Sequence, residues 1–151
     1  DKILLPYKKL IPFLNKYRRR FIVPRDVALN NNGKRCDMSI EDLPSKYAIY
    51  DVGKNTIKKY EKYIKNARSI FIKGLPGLCN NKAFSYGTEK ILRAVATSKA
   101  FSIVGGGHTL TMIDRLKIPK NKFNYVSMSG GALVYFLAHG TLPGIEAMKK
   151  A

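Results

Sequence analysis

Three times between residues 69 and 137, a short apolar run ends in glycine and gives way to a stretch with helical spacing. Ser69-Ile70-Phe71-Ile72 leads into Gly74-Leu75-Pro76-Gly77 and then a predicted helix over about 82–97 that buries Phe84, Ile91, Leu92 and Val95. Phe101-Ser102-Ile103-Val104 leads into Gly105-Gly106-Gly107, followed by a helix through Met112, Ile113 and Leu116. Tyr125-Val126-Ser127 leads into Ser129-Gly130-Gly131 and an apolar helix from Ala132 to Leu137. Strands apolar on both faces that alternate with helices predict a right-handed βαβ series around a parallel sheet. The expected fold class is α/β, a Rossmann-like three-layer domain. Sites in such sheets lie beyond the carboxyl ends of the strands. That is where these glycines fall.

The earlier residues fit the same plan less sharply. Lys8 to Tyr17 reads as a helix with Leu10, Phe13, Leu14 and Tyr17 on one face. After Arg18-Arg19-Arg20, the apolar run Phe21-Ile22-Val23-Pro24, resuming at Val27-Ala28-Leu29, reads as another buried parallel strand. Asn30-Asn31-Asn32-Gly33 is a turn. From Thr56 to Ala67, Ile57, Tyr60, Tyr63, Ile64 and Ala67 share a face expected to be core, with Asn55 or Thr56 as cap. Gly87, inside a predicted helix, costs about 1 kcal/mol against alanine unless packing requires it. The division expected is a basic helix and lead-in over 1–20, then one α/β domain over 21–151.

Glycine lets backbone N–H groups approach a phosphate with no Cβ between, and a helix N-terminus adds partial positive charge. One glycine turn is weak evidence, because tight strand-to-helix turns need glycine for steric reasons alone. Three at one sheet edge favour an ancestral phosphate-binding rim. Neither a GxxxxGKS/T loop nor a GxGxxG with a downstream acidic residue is present.

Charge narrows the partners. The 151 residues carry 28 Lys+Arg against 10 Asp+Glu, a net +18, which should draw the protein to a polyanion. RNA is the leading candidate, with an acidic protein surface as the alternative; a merely solvated basic surface is the bland reading. Cys36 and Cys79 have no metal or disulfide spacing. No apolar run of about 18 residues exists to span a membrane. The chain opens at Asp1 without a charged-then-apolar leader. The expected setting is intracellular, mitochondrial or otherwise organellar.

From Phe21 onward the motifs become specific. Phe21-Ile22-Val23-Pro24-Arg25-Asp26-Val27 resembles a strand and Pro-x-Asp turn of the carboxy-terminal domain of phosphoglycerate kinases. Ser39-Ile40-Glu41-Asp42-Leu43-Pro44, followed by Tyr50-Asp51-Val52-Gly53, resembles that family's turn into its DxGP segment. Lys73-Gly74-Leu75-Pro76-Gly77-Leu78, with Ala83-Phe84 and Gly87-Thr88, resembles the NGPxG loop and its following helix. Ile103 to Thr109 resembles the GGGDT loop, Val126 to Ala132 the STGGGA segment, and Gly140 to Gly144 the closing GxxLPG. The resemblance implies a nucleotide-binding domain for Mg-ADP or Mg-ATP, of which only the later part is represented. The family's acceptor domain for phosphoglycerate has no counterpart here.

Measured against that pattern, the loops have drifted. His108 stands where the family has the Asp that coordinates magnesium, and imidazole is a poor magnesium ligand. Lys73 replaces the loop Asn, Leu75 its Pro, and Asn80 the ribose-binding Glu. Lys54 replaces the Pro of DxGP, while Met128 and Ser129 replace the Thr and first Gly of STGGGA. Gly106, Gly107, Thr109, Gly130 and Gly131 remain, each with a structural reason to do so. Because phosphoryl transfer rests on positioning and charge neutralisation, catalysis is not expected, nor is a bound cofactor or metal. The vestigial phosphate loops are Gly53, Lys73, Gly74, Gly77, Asn80, Gly105, Gly106, Gly107, His108, Thr109, Ser129, Gly130 and Gly131. His108 reads as a helix-start polar residue rather than a general base, and His139 as a partner for a helix carboxyl end.

The leading functional expectation is a repurposed, non-catalytic kinase-like domain in an RNA-containing assembly such as an organellar ribosome. Arg18, Arg19, Arg20, Lys58, Lys62 and Lys65 would face phosphates through counterion release. The alternative is part of a phosphoglycerate kinase, with residual binding of Mg-ATP or Mg-ADP.

Overall fold

A computed structural model describes residues 4–150. Helix α1 (Leu4–Lys16) is followed by a 3-10 turn over Arg18–Arg20 and then two strands, β1 (Asp26–Asn31) and β2 (Lys34–Ser39). Their hairpin turns at Asn32 and Gly33, both at positive φ, and the Gly33 amide donates to Asn30 Oδ1 at 2.7 Å. That is the backbone twist a tight hairpin wants. Strand β3 (Ile49–Val52) pairs on the other side of β1, giving an antiparallel sheet of order β2-β1-β3.

Helix α2 (Lys54–Asn66) then leads to a second sheet. Its strands β4 (Ser69–Lys73), β5 (Phe101–Gly105) and β6 (Tyr125–Ser127) are parallel and neighbour one another in chain order. Helix α3 (Tyr86–Thr97) joins β4 to β5 and α4 (Gly107–Arg115) leads from β5 toward β6; α5 (Gly130–His139) and α6 (Pro143–Lys149) follow. The later part is therefore the α/β, Rossmann-like arrangement expected.

The main core lies on one face of the parallel sheet. Leu92 and Val95 of α3, Met112 and Ile113 of α4, Val104, Ile118 and Phe123 form a buried cluster. Ile64, Ile70, Ile72 and Val126 pack against it. The opposite face shows Phe71, Phe101 and Tyr125 to solvent, at 43%, 53% and 53% exposure. Among the described residues the third layer is only begun, where Leu133 of α5 approaches Gly105.

The first third departs from expectation. Phe21-Ile22-Val23-Pro24 is not a strand, and its first three side chains are exposed. The strand forms at Asp26–Asn31 and is antiparallel. An apolar run cannot specify the direction of its neighbours, and β2, with Lys34, Arg35 and Asp37, offered no apolar signal to announce a hairpin. Leu10, Phe13 and Leu14 of α1 share a helical face that remains exposed.

Helix α2 is not capped by Asn55 or Thr56 either. Its N-cap is Gly53, and the orphan amides are met from another strand. Asn55 and Thr56 donate their amides to the Asp26 carboxylate at 2.9 and 2.7 Å. Tyr63, expected in the core, is 53% exposed, whereas Tyr60 is half-buried with its hydroxyl donating to Ile22 O at 3.2 Å.

Candidate functional site

Because β4, β5 and β6 are parallel, all three glycine turns emerge at one edge. The register is level: Lys73 lies opposite Gly105, and Gly105 opposite Ser127. The Gly106 amide donates to Ser127 O at 3.1 Å, tying the second turn to the third strand. Gly106 has φ +104, a conformation that favours glycine. A Cβ at Gly130 would lie 3.2 Å from Gly106 Cα and 3.5 Å from Lys73 Cε. The starts of α4 and α5 thus meet backbone to backbone, with the Lys73 side chain reaching toward them.

Gly107 and Gly131 are different. Neither has a positive φ, and a Cβ on either would meet no atom within 4 Å. Their side-chain positions open outward at the starts of two helices. The expectation that each of these glycines has a structural reason to be glycine is therefore corrected at both. Space above exposed helix amides suits an oxyanion.

Thr109, in the first turn of α4, is 1% exposed and its hydroxyl has no hydrogen-bond partner among the described residues. A buried hydroxyl left unpaired carries a desolvation cost of about 1–3 kcal/mol. Such a group marks a place where a ligand oxygen can restore the missing bond. Ser129 has a structural task instead, since its Oγ accepts the Ala132 amide at 3.2 Å as the cap of α5.

On the other side of β5, Gly74, Leu75, Gly77, Leu78, Cys79 and Asn80 face His108 across an open groove of about 410 Å³. The structure so brings Gly74, Gly77, Asn80 and His108 together. Burial pushes the Cys79 thiol above its ordinary range, against the pull of its backbone hydrogen bond and nearby Arg115. His139 donates Nδ1–H to Tyr135 O at 2.9 Å and stacks on the Tyr135 ring at the end of α5.

Three glycines belong to internal packing. Gly53 follows β3, in the antiparallel sheet, and its missing Cβ leaves room for the Asp26 carboxylate. Gly77 and Gly87 both lie against the carboxylate of Asp51, whose side chain is fully buried. Gly87 is thus required by packing, and its amide donates to Asp51 Oδ2 at 2.8 Å. Gly53 and Gly77 make room for protein oxygens rather than for a bound phosphate.

These two carboxylates are what the sequence did not announce. Asp26 accepts the two α2 amides and the Thr56 hydroxyl, at 2.5 Å; Thr56 Oγ1 in turn accepts the Arg25 and Asp26 amides. Burial opposes the charged form of Asp26. The hydrogen bonds from the Thr56 side chain and from the Asn55 and Thr56 amides outweigh it and hold the carboxyl below its ordinary range. Asp51 ion-pairs with Arg35 at 2.7 Å. In the sequence the two carboxylates stand only within the Pro24-Arg25-Asp26 turn and the Tyr50-Asp51-Val52-Gly53 segment, with nothing to name their partners.

Arg18, Arg19 and Arg20 are exposed on their 3-10 turn, and Lys58, Lys62 and Lys65 are exposed on α2. They occupy separate elements. No helix among the described residues is long and apolar enough to cross a membrane, and among those residues no three His, Cys, Asp or Glu side chains converge as a metal-binding group. A protein carboxylate for magnesium is not supplied at His108.

Comparison with known proteins agrees with this geometry. The phosphoglycerate kinase family profile matches residues 6–140. The phosphoglycerate kinase of Methanothermus fervidus is 42% identical over 149 residues, 96% of this chain and 36% of that protein. Phosphoglycerate kinase 1 of Methanosarcina acetivorans is 41% identical over 136 residues, 90% of this chain and 32% of that protein. Among solved structures, phosphoglycerate kinase from Pyrococcus horikoshii OT3 superposes with a TM-score of 0.84 at 31% identity, covering 98% of this chain and 37% of that one. The chain thus spans about a third of the length of the curated relatives it matches. With the profile covering most of its residues and these relatives alongside, the chain belongs to the phosphoglycerate kinase family.

Proposed function

We propose that this chain is the later part of the nucleotide-binding half of a phosphoglycerate kinase, and that the rim above β4, β5 and β6 holds the phosphates of ADP or ATP. The observation that carries this reading is the unpaired, buried Thr109 hydroxyl beside the Gly106–Gly130 approach. The amides opening α4 and α5 would donate to phosphate oxygens, Thr109 Oγ1 would add a hydroxyl, and Lys73 would supply charge. The groove between Asn80 and His108 would take the nucleoside. Magnesium, when bound with the nucleotide, neutralises phosphate charge; this chain contributes the phosphate cradle.

The relatives favour this reading over a component of an RNA-containing assembly, for which they offer no support. They also temper the expectation of a non-catalytic domain, since the matching proteins bear an enzyme's name. Phosphoryl transfer by this family member would need the remaining two thirds represented in those relatives.

The test is calorimetric titration of the 151-residue chain with ADP, with and without magnesium, beside the Thr109→Val variant. Heat saturating at one nucleotide per chain, weakened in Thr109→Val, supports the reading. No saturable binding at millimolar ADP ends it.

A second reading keeps one observation in its favour. Lys54, Lys58, Lys62 and Lys65 form an exposed stripe along α2, with no ion pair to an acidic side chain among the described residues. Such a stripe could track a nucleic-acid backbone. An electrophoretic shift of RNA whose strength falls steeply with salt would support it, and binding indifferent to salt would reject it.

A further inference from the structure

Arg35 sits on β2, an edge strand, yet its side chain is only 12% exposed because the guanidinium turns inward. It makes four contacts with three separate segments. Nε donates to Asp37 Oδ1 at 3.0 Å, and Nη2 to Val52 O at 2.6 Å. Nη1 donates to Asp51 Oδ2 at 2.7 Å and to Ala83 O at 3.2 Å. The Tyr86 ring lies beneath, 5.3 Å from the guanidinium carbon.

Asp51 extends the same network. Its Oδ2 also accepts the Gly87 amide, its Oδ1 accepts the Val52 amide, and Gly77 and Gly87 leave the space the carboxylate fills. Beside it, the Leu78 amide donates to Tyr50 O at 3.0 Å, and the fully buried Phe84 meets the Tyr50 ring edge-on. The segment between β4 and α3 is therefore fastened to the antiparallel sheet at residues 77, 78, 83 and 84, and the first turn of α3 at Gly87. Residues 74–80 of that segment form the wall that faces His108.

A buried ion pair is a weak stabiliser compared with apolar residues of the same volume. What the planar, five-donor guanidinium provides is fixed direction toward several acceptors at once. Resting on the nucleotide reading above, we propose that Arg35 and Asp51 are a positioning pair: the antiparallel sheet uses them to set the 74–80 wall at the distance from His108 that a nucleoside requires. Neither residue touches the ligand; both act through the wall.

Two measurements on the 151-residue chain test this, using Arg35→Lys and Asp51→Asn. Lysine keeps the charge but not the fork, and asparagine keeps the shape but not the charge. Hydrogen exchange should rise roughly tenfold at the amides of residues 77–87 in both variants, while β5 and α4 amides keep their protection. Affinity for ADP should fall about tenfold while inorganic phosphate, which needs only the helix starts and Thr109, binds within about twofold of the unmutated chain. That split is not what general destabilisation produces, since loss of folded protein would weaken both ligands together.

Should either variant fail to fold, Asp37→Asn loosens the guanidinium at Nε, leaves Asp51 in place, and should move both readouts in the same sense by a smaller factor. An unmutated chain that takes up no ADP defeats the nucleotide reading and this inference with it. A chain that binds ADP equally well with and without the Arg35 fork defeats this inference alone, as does unchanged exchange over residues 77–87.

Discussion

Buried polar groups hold the antiparallel sheet to its surroundings, whereas the parallel sheet is held by a side-chain core that is almost entirely apolar. In the first, Asp26 and Thr56 fasten β1 to α2, and Arg35 with Asp51 fastens β2 and β3 to the segment before α3. In the second, Leu92, Val95, Val104, Met112 and Ile113 are each at most 1% exposed and interlock across one sheet face. Hydrogen bonds and ion pairs dictate orientation, and apolar contact rewards burial regardless of angle. The glycine rim sits where the two regimes adjoin. Its phosphate side stands on the apolar core through α4, and its groove wall is oriented by the polar network.

The largest effect separating the two should come from Asp51→Ala. Removing the buried partner of the Arg35 guanidinium, which then keeps only Asp37 as a carboxylate, should cost about 3–5 kcal/mol in urea denaturation. The double variant Arg35→Met with Asp51→Asn should lose less than Asp51→Ala alone; a larger loss would show that the network is not a unit. In the apolar region, Met112→Ala should cost about 2–5 kcal/mol through its cavity.

Next comes Asp26. Its carboxyl is held below its ordinary value of 3.8, so its contribution is complete above that value and disappears as pH falls through the lower folded-state value. Asp26→Ala should cost about 1–2 kcal/mol near neutrality, as for the loss of a strong cap. The variant and the unmutated protein should converge in stability under strong acid, and a constant gap down to pH 2 would contradict the assignment. Opposite in sign, Thr109→Val should stabilise the unliganded chain by about 1 kcal/mol, because it removes a buried hydroxyl that has no partner among the described residues. The same change should weaken ligand binding. Smallest of all, Phe101→Thr on the open sheet face should shift the unfolding free energy by no more than about 0.5 kcal/mol.

The same contrast explains what could be read in advance. The strands β4, β5 and β6 are apolar runs ending in glycine, and hydrophobic patterning with turn residues is what a sequence displays openly. The glycine turns followed directly, as did the turn at Asn32-Gly33, though not the antiparallel hairpin it closes. The polar region was hidden because its partners are distant in sequence: Asp26 caps a helix 29 and 30 residues away, and Asp51 meets Gly87 across 36. No local motif encodes such pairs. The apparent strand Phe21–Val23 misled for the complementary reason, since hydrophobic character alone does not say that a residue will find cover. At the rim, sequence could name Gly107 and Gly131 but not whether packing demanded glycine there. Only the open space beside them decides that.

The level register of Lys73, Gly105 and Ser127 sets a rule for change over generations. Each strand advances by about 3.3 Å per residue and turns alternate side chains to opposite faces. Gaining or losing one residue in β5 would withdraw its turn from those beside it and send Val104 outward. The three strands can therefore accept substitution far more readily than insertion, and the place to lengthen this chain is the hairpin tip at Asn32-Gly33, which sets no height for the rim.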